Sequence, residues 1–564
     1  LKLLSFFAAG CLLWNPSPDS ELTTMIHSRP LSLVLTLSTL AAASFVAGCN
    51  PHPIKPVEYD GSSVTVTSLP LDVRKQVDVL LVIDNSGSMG EEQANLAANF
   101  GPFIEKLEAA GADYRIGVTT TDIGGKGCSA GGAAGGELHL SSCLDRPETF
   151  VFHTSDLFDA ACAAHCQYRD DELAVHPTAL TPSGEAVARP WIESFSGVGN
   201  LPDGIAPLDA FQCFAPQGIS GCGWEGPLEA MARALDNMRN PARPEFGFLR
   251  DDALLAVLIV TDEADCSFNP AVADALFDNE VFRTTNYLTS GVCWNAGVEC
   301  AGDSPFDDCW DVNLDANGDP TTDPLSTVLR PVSRYVELLE EVAASKGSGR
   351  EVLVSIIAGV PEGYSSGSAE IVYADVEHTA FNEPADFQGN FGIGAGCQTI
   401  VDGVAQTAVP PVRLEVFAEA FVAKGLEPGA RNIYSVCADD YTQAILDIVA
   451  GIEVELPPAC FGGCVLDTDS STAELDYSCQ VFQSGEAGQI IVPECLASDL
   501  GAELPDGADV CWIAKTGADL APECVAAKRN LEFELVRRLG VPVARDVSVS
   551  AACELSSFAS DDCG

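Results

Sequence analysis

The sequence predicts an α/β protein: a doubly wound, mostly parallel sheet with helices on both faces and Cys-rich insertions, followed by a small, β-rich, disulfide-stapled C-terminal domain. Three observations predict it. Apolar runs within Val77–Ile83, Ala253–Val260 and Glu351–Ile357 are continuous rather than alternating, as in strands covered on both faces. Stretches with helical apolar spacing separate these runs, and strand–helix alternation implies a parallel sheet flanked by helices. After Pro457-Pro458 the composition shifts to short β-type runs among eight cysteines, from Cys460 to Cys563.

The elements follow in order. Val77–Ile83 reads as the first buried strand. Glu91–Ala109 places Leu96, Phe100, Phe103, Ile104 and Leu107 on one helical face. Tyr114–Thr119 is a second strand. From about 122 to 221 the pattern dissolves into Gly, Pro, Ser and Cys, as in a long stapled insertion. Pro227–Met238 opens with Pro at a helix start, and Ala253–Val260 is again a strand. A second Cys-rich insertion covers about 266–323. Helices at Val332–Ala344, Val412–Ala423 and Tyr441–Ile452, with strands at Glu351–Ile357 and Asn432–Cys437, complete a domain over 71–455. Residues 456–564 form the Cys-rich β domain.

Charge and cysteines bound the function. The formal net charge is −53, from 82 acidic against 29 basic residues, which excludes the basic footprint of a nucleic-acid binder. From Met25, residues 25–48 read as a secretory signal: Arg29 in a charged n-region, an apolar stretch from Leu31 to Val46, then Ala47-Gly48 before Cys49. Residues 1–24 precede this complete signal and read as a start-site error. Residues 49–70 are punctuated by Pro, Ser and Gly, like a tether. No later stretch reaches the ~18 apolar residues of a membrane helix. Of 22 cysteines, setting aside Cys11 and Cys49 leaves 22 − 2 = 20, an even number suited to disulfides in an oxidising compartment. Cys162 with Cys166, Cys213 with Cys222, and Cys460 with Cys464 are the expected local pairs. A zinc reading of Cys162, His165 and Cys166 lacks a second ligand pair nearby.

The chemistry concentrates where strands end. Val79–Met89, "VLLVIDNSGSM", delivers Asp84, Ser86 and Ser88 at the carboxyl edge of the sheet, where ligands of open α/β folds gather. Alternate hard oxygens suit Mg²⁺, Mn²⁺ or Ca²⁺ rather than zinc. A second buried strand ends in Thr261, Asp262, Glu263 and Asp265. The structural alternative is that Asp84 caps the helix beginning near Glu91 while Ser86 and Ser88 form a turn.

Asp-x-Ser-x-Ser after an apolar strand, with Thr-Asp after a later one, resembles the von Willebrand factor type A domain and its metal-ion-dependent adhesion site. The resemblance covers about Lys75 to Ile452, and Ser435–Ile452 resembles the end of bacterial lipoproteins of this type. It implies that Asp84, Ser86, Ser88 and Asp262 surround a divalent cation, directly or through water, and that an acidic group of a protein partner completes the shell. The family adds a Thr from a Gly-rich loop; here "PQGISGCGWEGPLEAM" has none, Cys222 falls at that position, and Ser220 or Glu225 is left to replace it. The Val46–Cys49 stretch resembles a bacterial lipobox, which implies cleavage before Cys49 and a lipid on its thiol. Asn50, in place of the Asp associated with inner-membrane retention, points to the outer membrane.

Other signals are set aside. "GYSSG" at Gly363–Gly367 has the Gly-x-Ser-x-Gly form but no strand-to-helix turn. "NLDANGD" at Asn313–Asp319 resembles part of a Ca²⁺ loop but has Pro324 at the twelfth position. The expectation is a lipid-anchored envelope protein, not an enzyme, that binds a partner through a divalent cation. The alternatives are a surface scaffold in which the metal only stabilises the fold and, behind that, a hydrolase.

Overall fold

The computed structural model describes residues 66–71 and, with short breaks, residues 76–563. The expected leader at 1–24, signal at 25–48 and lipidated Cys49 lie outside the described residues. The strands that organise the chain are β1 (Val66–Leu71), β2 (Gln76–Ile83), β3 (Asp113–Thr120), β4 (Ile192–Phe195), β5 (Val198–Gly199), β6 (Leu254–Val260), β7 (Val352–Ala358), β8 (Ile433–Ser435), β9 (Cys479–Gly485), β10 (Gly488–Val492) and β11 (Ser548–Glu554). The helices are α1 (Gly90–Asn99), α2 (Gly101–Ala109), α3 (Pro207–Phe214), α4 (Pro227–Arg239), α5 (Val332–Ser345), α6 (Val412–Glu419) and α7 (Thr442–Glu455).

Seven strands form the central sheet in the order β8-β7-β6-β2-β3-β4-β5. The five from β8 to β3 are parallel, and β4 and β5 close one edge antiparallel. Chain order reverses between β2 and β6, which makes the crevice beyond their carboxyl ends the topological switch point. The unbroken apolar runs have the expected cause. In β2, Val77, Val79, Leu81 and Ile83 pack with Phe103, Ile104, Ile445 and Val449 on one face. Leu80 and Val82 pack with Met231, Leu235, Leu339 and Phe417 on the other. Helices therefore cover both faces.

Three details differ from expectation. The helix expected over Glu91–Ala109 is two helices that meet at Phe100. Pro102 lacks an N–H and its ring collides with the carbonyl four residues earlier, so the first helix stops; Phe100 stacks on Phe103 and Phe211 at 4.6 and 3.8 Å. The segment read as an insertion over 122–221 supplies β4, β5 and α3, and so completes the sheet edge. The end of the expected tether is strand β1, paired antiparallel with β11 from Val66 opposite Glu554 to Leu71 opposite Val549. The C-terminal sheet, β1-β11-β9-β10, thus contains chain from both sides of the α/β domain.

Twenty cysteines form ten disulfides, and the count agrees with an oxidising compartment. The expected local pairs are not the ones formed. Cys162 joins Cys143, Cys166 joins Cys213, Cys222 joins Cys128, Cys460 joins Cys524 and Cys464 joins Cys563. Cys162 and Cys166 sit one helical turn apart, with the Cys166 N–H donating to the Cys162 carbonyl, so both sulfurs reach outward from one side to neighbouring elements. Cys213 is likewise held on α3, while Cys222 lies in the next loop. Cys460 is bridged to Glu532, which directs it to the Cys524 segment. With both sulfurs in disulfides, the zinc reading of Cys162, His165 and Cys166 has no thiolate. Among the described residues, no helix is long and apolar enough to cross a membrane.

Candidate metal centre

Register brings the site together. Ile83 pairs with Val260 on one side and Thr120 on the other, so Asp84, Thr121 and Thr261 leave three adjacent strands at one level. The ladder continues one step further: the Asp84 N–H donates to Val260 O at 2.9 Å, and the Thr121 N–H to Ile83 O at 3.2 Å.

A chain of hydrogen bonds then links the residues singled out from sequence. The Thr261 hydroxyl donates to Asp84 Oδ2, and the Ser86 N–H donates to Asp84 Oδ1 at 2.8 Å. Ser86 Oγ lies 3.3 Å from Ser88 Oγ. Asp262 follows Thr261 at the end of the neighbouring strand; Ser88 partly offsets the upward push of burial on its carboxyl, and its Oδ1 has no partner. Helix α1 begins after Met89 with no side-chain cap, so capping is not the task of Asp84. A Cβ at Gly87 would lie 2.3 Å from the Phe152 ring, which the later 122–221 segment lays against the loop, so the glycine lets that ring approach.

The third-loop candidates differ in their surroundings. Cys222 is bonded to Cys128 and Ser220 is exposed. Glu225 is fully buried just ahead of α4, accepts a hydrogen bond from the Thr121 hydroxyl, and makes side-chain contact with Asp84. Its Oε1 has no partner. Gly221 keeps the two loops in contact. Its N–H donates to Asn85 O at 2.8 Å, and a Cβ would collide with the Asn85 side chain at 2.4 Å.

Two further carboxylates, Glu92 from α1 and Glu263 after β6, are buried beside these. Burial is the first cause that pushes Asp84, Glu92, Glu225, Asp262 and Glu263 above the usual carboxylate range; repulsion between carboxylates adds to it for Glu92, Glu225, Asp262 and Glu263, while hydrogen bonds at Asp84 partly offset it, and Asp262 is pushed up to about 7. Among the described residues, no Lys, Arg or His forms an ion pair with any of the five. Buried carboxylates grouped without a counter-charge are neutralised by protons or by a cation. The unpartnered oxygens of Asp262 and Glu225, and the hard-oxygen donor set, fit a divalent cation. Asp265 is different: it pairs with Arg413 at 3.0 Å and belongs to the packing rather than to this group.

Among the described residues, the one tight set of three acidic, Cys or His ligand atoms is Asp122, Cys128 and Cys222. It is not a metal site, because the two sulfurs are bonded to each other, and Asp122 accepts the N–H groups of Gly124 and Cys222 at 2.7 and 3.2 Å. Ser365 of "GYSSG" lies in a surface turn, where its carbonyl accepts the Arg431 N–H at 2.7 Å. The acidic loop at Asn313–Asp319 is a turn closed by Asp315, whose Oδ1 accepts the N–H groups of Asn317 and Asp319 at 2.8 and 3.1 Å.

Sequence reasoning missed Glu92, Thr121 and Gln93. Thr121-Asp122 ends a buried strand in the same way as Asp84 and Asp262, and that parallel was the available signal. Gln93 had none. Its Nε2 donates to Asp84 O and Gly218 O at 2.6 and 2.8 Å, and its Oε1 accepts from Gln217 and Gly218. It ties the Asp84 loop to the third loop without belonging to the donor set. Gln93→Ala is expected to cost about 1–3 kcal/mol, because it leaves buried backbone groups unpaired. It should also weaken cation binding severalfold; calorimetry with unchanged affinity would remove Gln93 from the support of the site.

No family model matches the chain, and no curated protein matches it by sequence. Among solved structures, the pilus adhesin SpaC from Lactobacillus rhamnosus GG aligns over 86% of this chain and 40% of its own, at 8% identity and a TM-score of 0.25. The pilus adhesin RrgA from Streptococcus pneumoniae aligns over 87% and 58%, at 9% identity and a TM-score of 0.26. The chain thus spans about two fifths of SpaC and under two thirds of RrgA. Likeness at this level carries no argument, and the reading of the site rests on its own residues.

Proposed function

We propose that this chain is a cell-envelope lipoprotein, attached to the outer membrane through a lipid on Cys49, whose α/β domain is of the von Willebrand factor type A kind. That domain binds a protein partner through a divalent cation held by Asp84, Ser86, Ser88 and Asp262. The observation that carries the reading is the hydrogen-bond chain from Thr261 through Asp84 and Ser86 to Ser88, at the switch point of the sheet, beside the buried Asp262 with its unpartnered oxygen. The sheet order supports it: with the strands of the central sheet numbered from β2 along the chain and the two-residue β5 left out, the order is 6-5-4-1-2-3, the doubly wound arrangement. A bound cation supplies positive charge and a coordination position that an acidic group of the partner completes. Ser88 and Gly87, half-buried beside the exposed Phe152, form the accessible side. No bond-making step belongs to this function.

Burial of Asp84, Glu225 and Thr261 favours a second reading, a surface scaffold in which the cation only holds the loops together. Pull-down from envelope extract, with and without chelator, separates the two when paired with thermal melts. Chelator is expected to release the captured partner and to lower the melting temperature. A partner that stays bound while the melting temperature falls would leave the scaffold. Unchanged calorimetric binding of Mg²⁺ or Ca²⁺ to the Asp84→Ala, Ser86→Ala variant would end both readings.

A further inference from the structure

We infer that Glu225 makes this a calcium site, selective against magnesium. The inference rests on the proposed cation site and concerns which ion that site takes. Calcium accepts six to eight oxygens in a flexible shell rich in carboxylates, whereas magnesium demands a regular octahedron, gives up water reluctantly and is usually held by one or two carboxylates. Beside the Asp84–Ser86–Ser88 loop and Asp262, this chain supplies a third-loop carboxylate where the resemblance leads one to expect a neutral hydroxyl.

The placement of Glu225 is specific. Its side chain is fully buried, one oxygen is taken by the Thr121 hydroxyl, the side chain touches Asp84, and the other oxygen has no partner. Its backbone is fixed as well: the Glu225 carbonyl accepts the Cys266 N–H at 2.6 Å, and Pro227 opens α4 two residues later. The carboxylate therefore cannot swing out to solvent and must be neutralised where it stands. Glu263, two residues after Thr261, is also buried and adds a further carboxylate next to Asp262. Greater ligand charge raises calcium affinity, whereas magnesium, which keeps several of its waters, gains less from an added carboxylate.

Calorimetry on the full chain, freed of metal and titrated separately with CaCl₂ and MgCl₂, tests this. The wild type is expected to bind Ca²⁺ at least about tenfold more tightly than Mg²⁺, and Glu225→Gln to lose about tenfold for Ca²⁺ while Mg²⁺ changes little. Equal or tighter Mg²⁺ binding by the wild type overturns the inference without recourse to any variant. So does a Ca²⁺ to Mg²⁺ ratio that Glu225→Gln leaves unchanged. Asp84→Asn distinguishes the two levels of the argument. If it abolishes binding of both ions while Glu225→Gln spares the ratio, only the calcium inference falls. If Asp84→Asn binds both ions like the wild type, the cation site itself falls.

Discussion

Asp262→Asn stabilises the metal-free protein and destabilises the protein in excess cation. The first half follows from charge. Asp262 is buried against Asp84 with no basic side chain in the group, and its carboxyl is pushed up to about 7. An unfolded Asp releases its proton near pH 4. Between roughly those two values the folded chain holds a proton that the unfolded chain has lost, so metal-free stability falls as pH rises from about 4 to about 7 and is level above. Asn removes the ionising group, and a gain on the order of 1 kcal/mol or more is expected at pH 8 in chelator. With a cation bound the sign reverses. The cation favours the ionised form, stability rises with pH, and Asn loses a ligand and at least about tenfold in affinity. Melting curves of both proteins from pH 4.5 to 8, with chelator and with excess Ca²⁺, give the four slopes. The difference between wild type and variant isolates Asp262 from exposed acids such as Asp315, which the N–H groups of its own loop hold below the usual range. A metal-free wild type whose melting temperature climbs relative to the variant through this window would refute the account.

The sequence made this site partly legible because the sheet is parallel and covered on both faces. Such strands are unbroken apolar runs, and the first polar residue after each run marks the carboxyl edge. Asp84 and the Thr261-Asp262 pair stand out in that way, and the register of β2 and β6 sets Asp84 level with Thr261, one residue before Asp262. Glu225 was one of two candidates in the third loop; only packing separates it from the exposed Ser220. Glu92 was not found, because an acid in the first turn of a helix usually serves the dipole on the solvent side. Here α1 turns it inward, among the other carboxylates.

The fold divides along the same line. Long buried strands and amphipathic helices announce themselves over ten residues or so. The edge strand β4 is four residues, "IESF", inside a Cys- and Gly-rich stretch, and it becomes a strand only because β3 offers an open edge. The pairing of β1 with β11 joins chain ends nearly five hundred residues apart, and no local pattern encodes that contact. The disulfide partners have the same character: the cysteine count was legible, while the partners depend on which elements tertiary packing brings together.

Arg413→Ala is expected to cost about 3–5 kcal/mol, the largest loss anticipated for a single site in the α/β domain. Asp265 stands three residues after Asp262 at the same strand end and is as deeply buried. It differs in having a counter-charge: Arg413 Nε donates to its Oδ2 at 3.0 Å, while Oδ1 accepts the Ser267 hydroxyl at 2.6 Å and the Leu228 N–H at 3.3 Å. Arg413 also donates to Arg330 O at 2.7 Å, so it ties α6 to the loop before α5. Truncating it leaves a buried carboxylate with no cation, the condition that already holds at Asp262. Asp265→Asn should therefore destabilise the metal-free chain, by stranding Arg413, whereas Asp262→Asn stabilises it. Two like substitutions three residues apart take opposite signs because one carboxylate has its cation built into the chain and the other has none. Denaturant unfolding in chelator reads both signs directly. If Asp265→Asn and Asp262→Asn shift stability in the same direction, the distinction between a structural carboxylate and a cation ligand at this strand end is wrong.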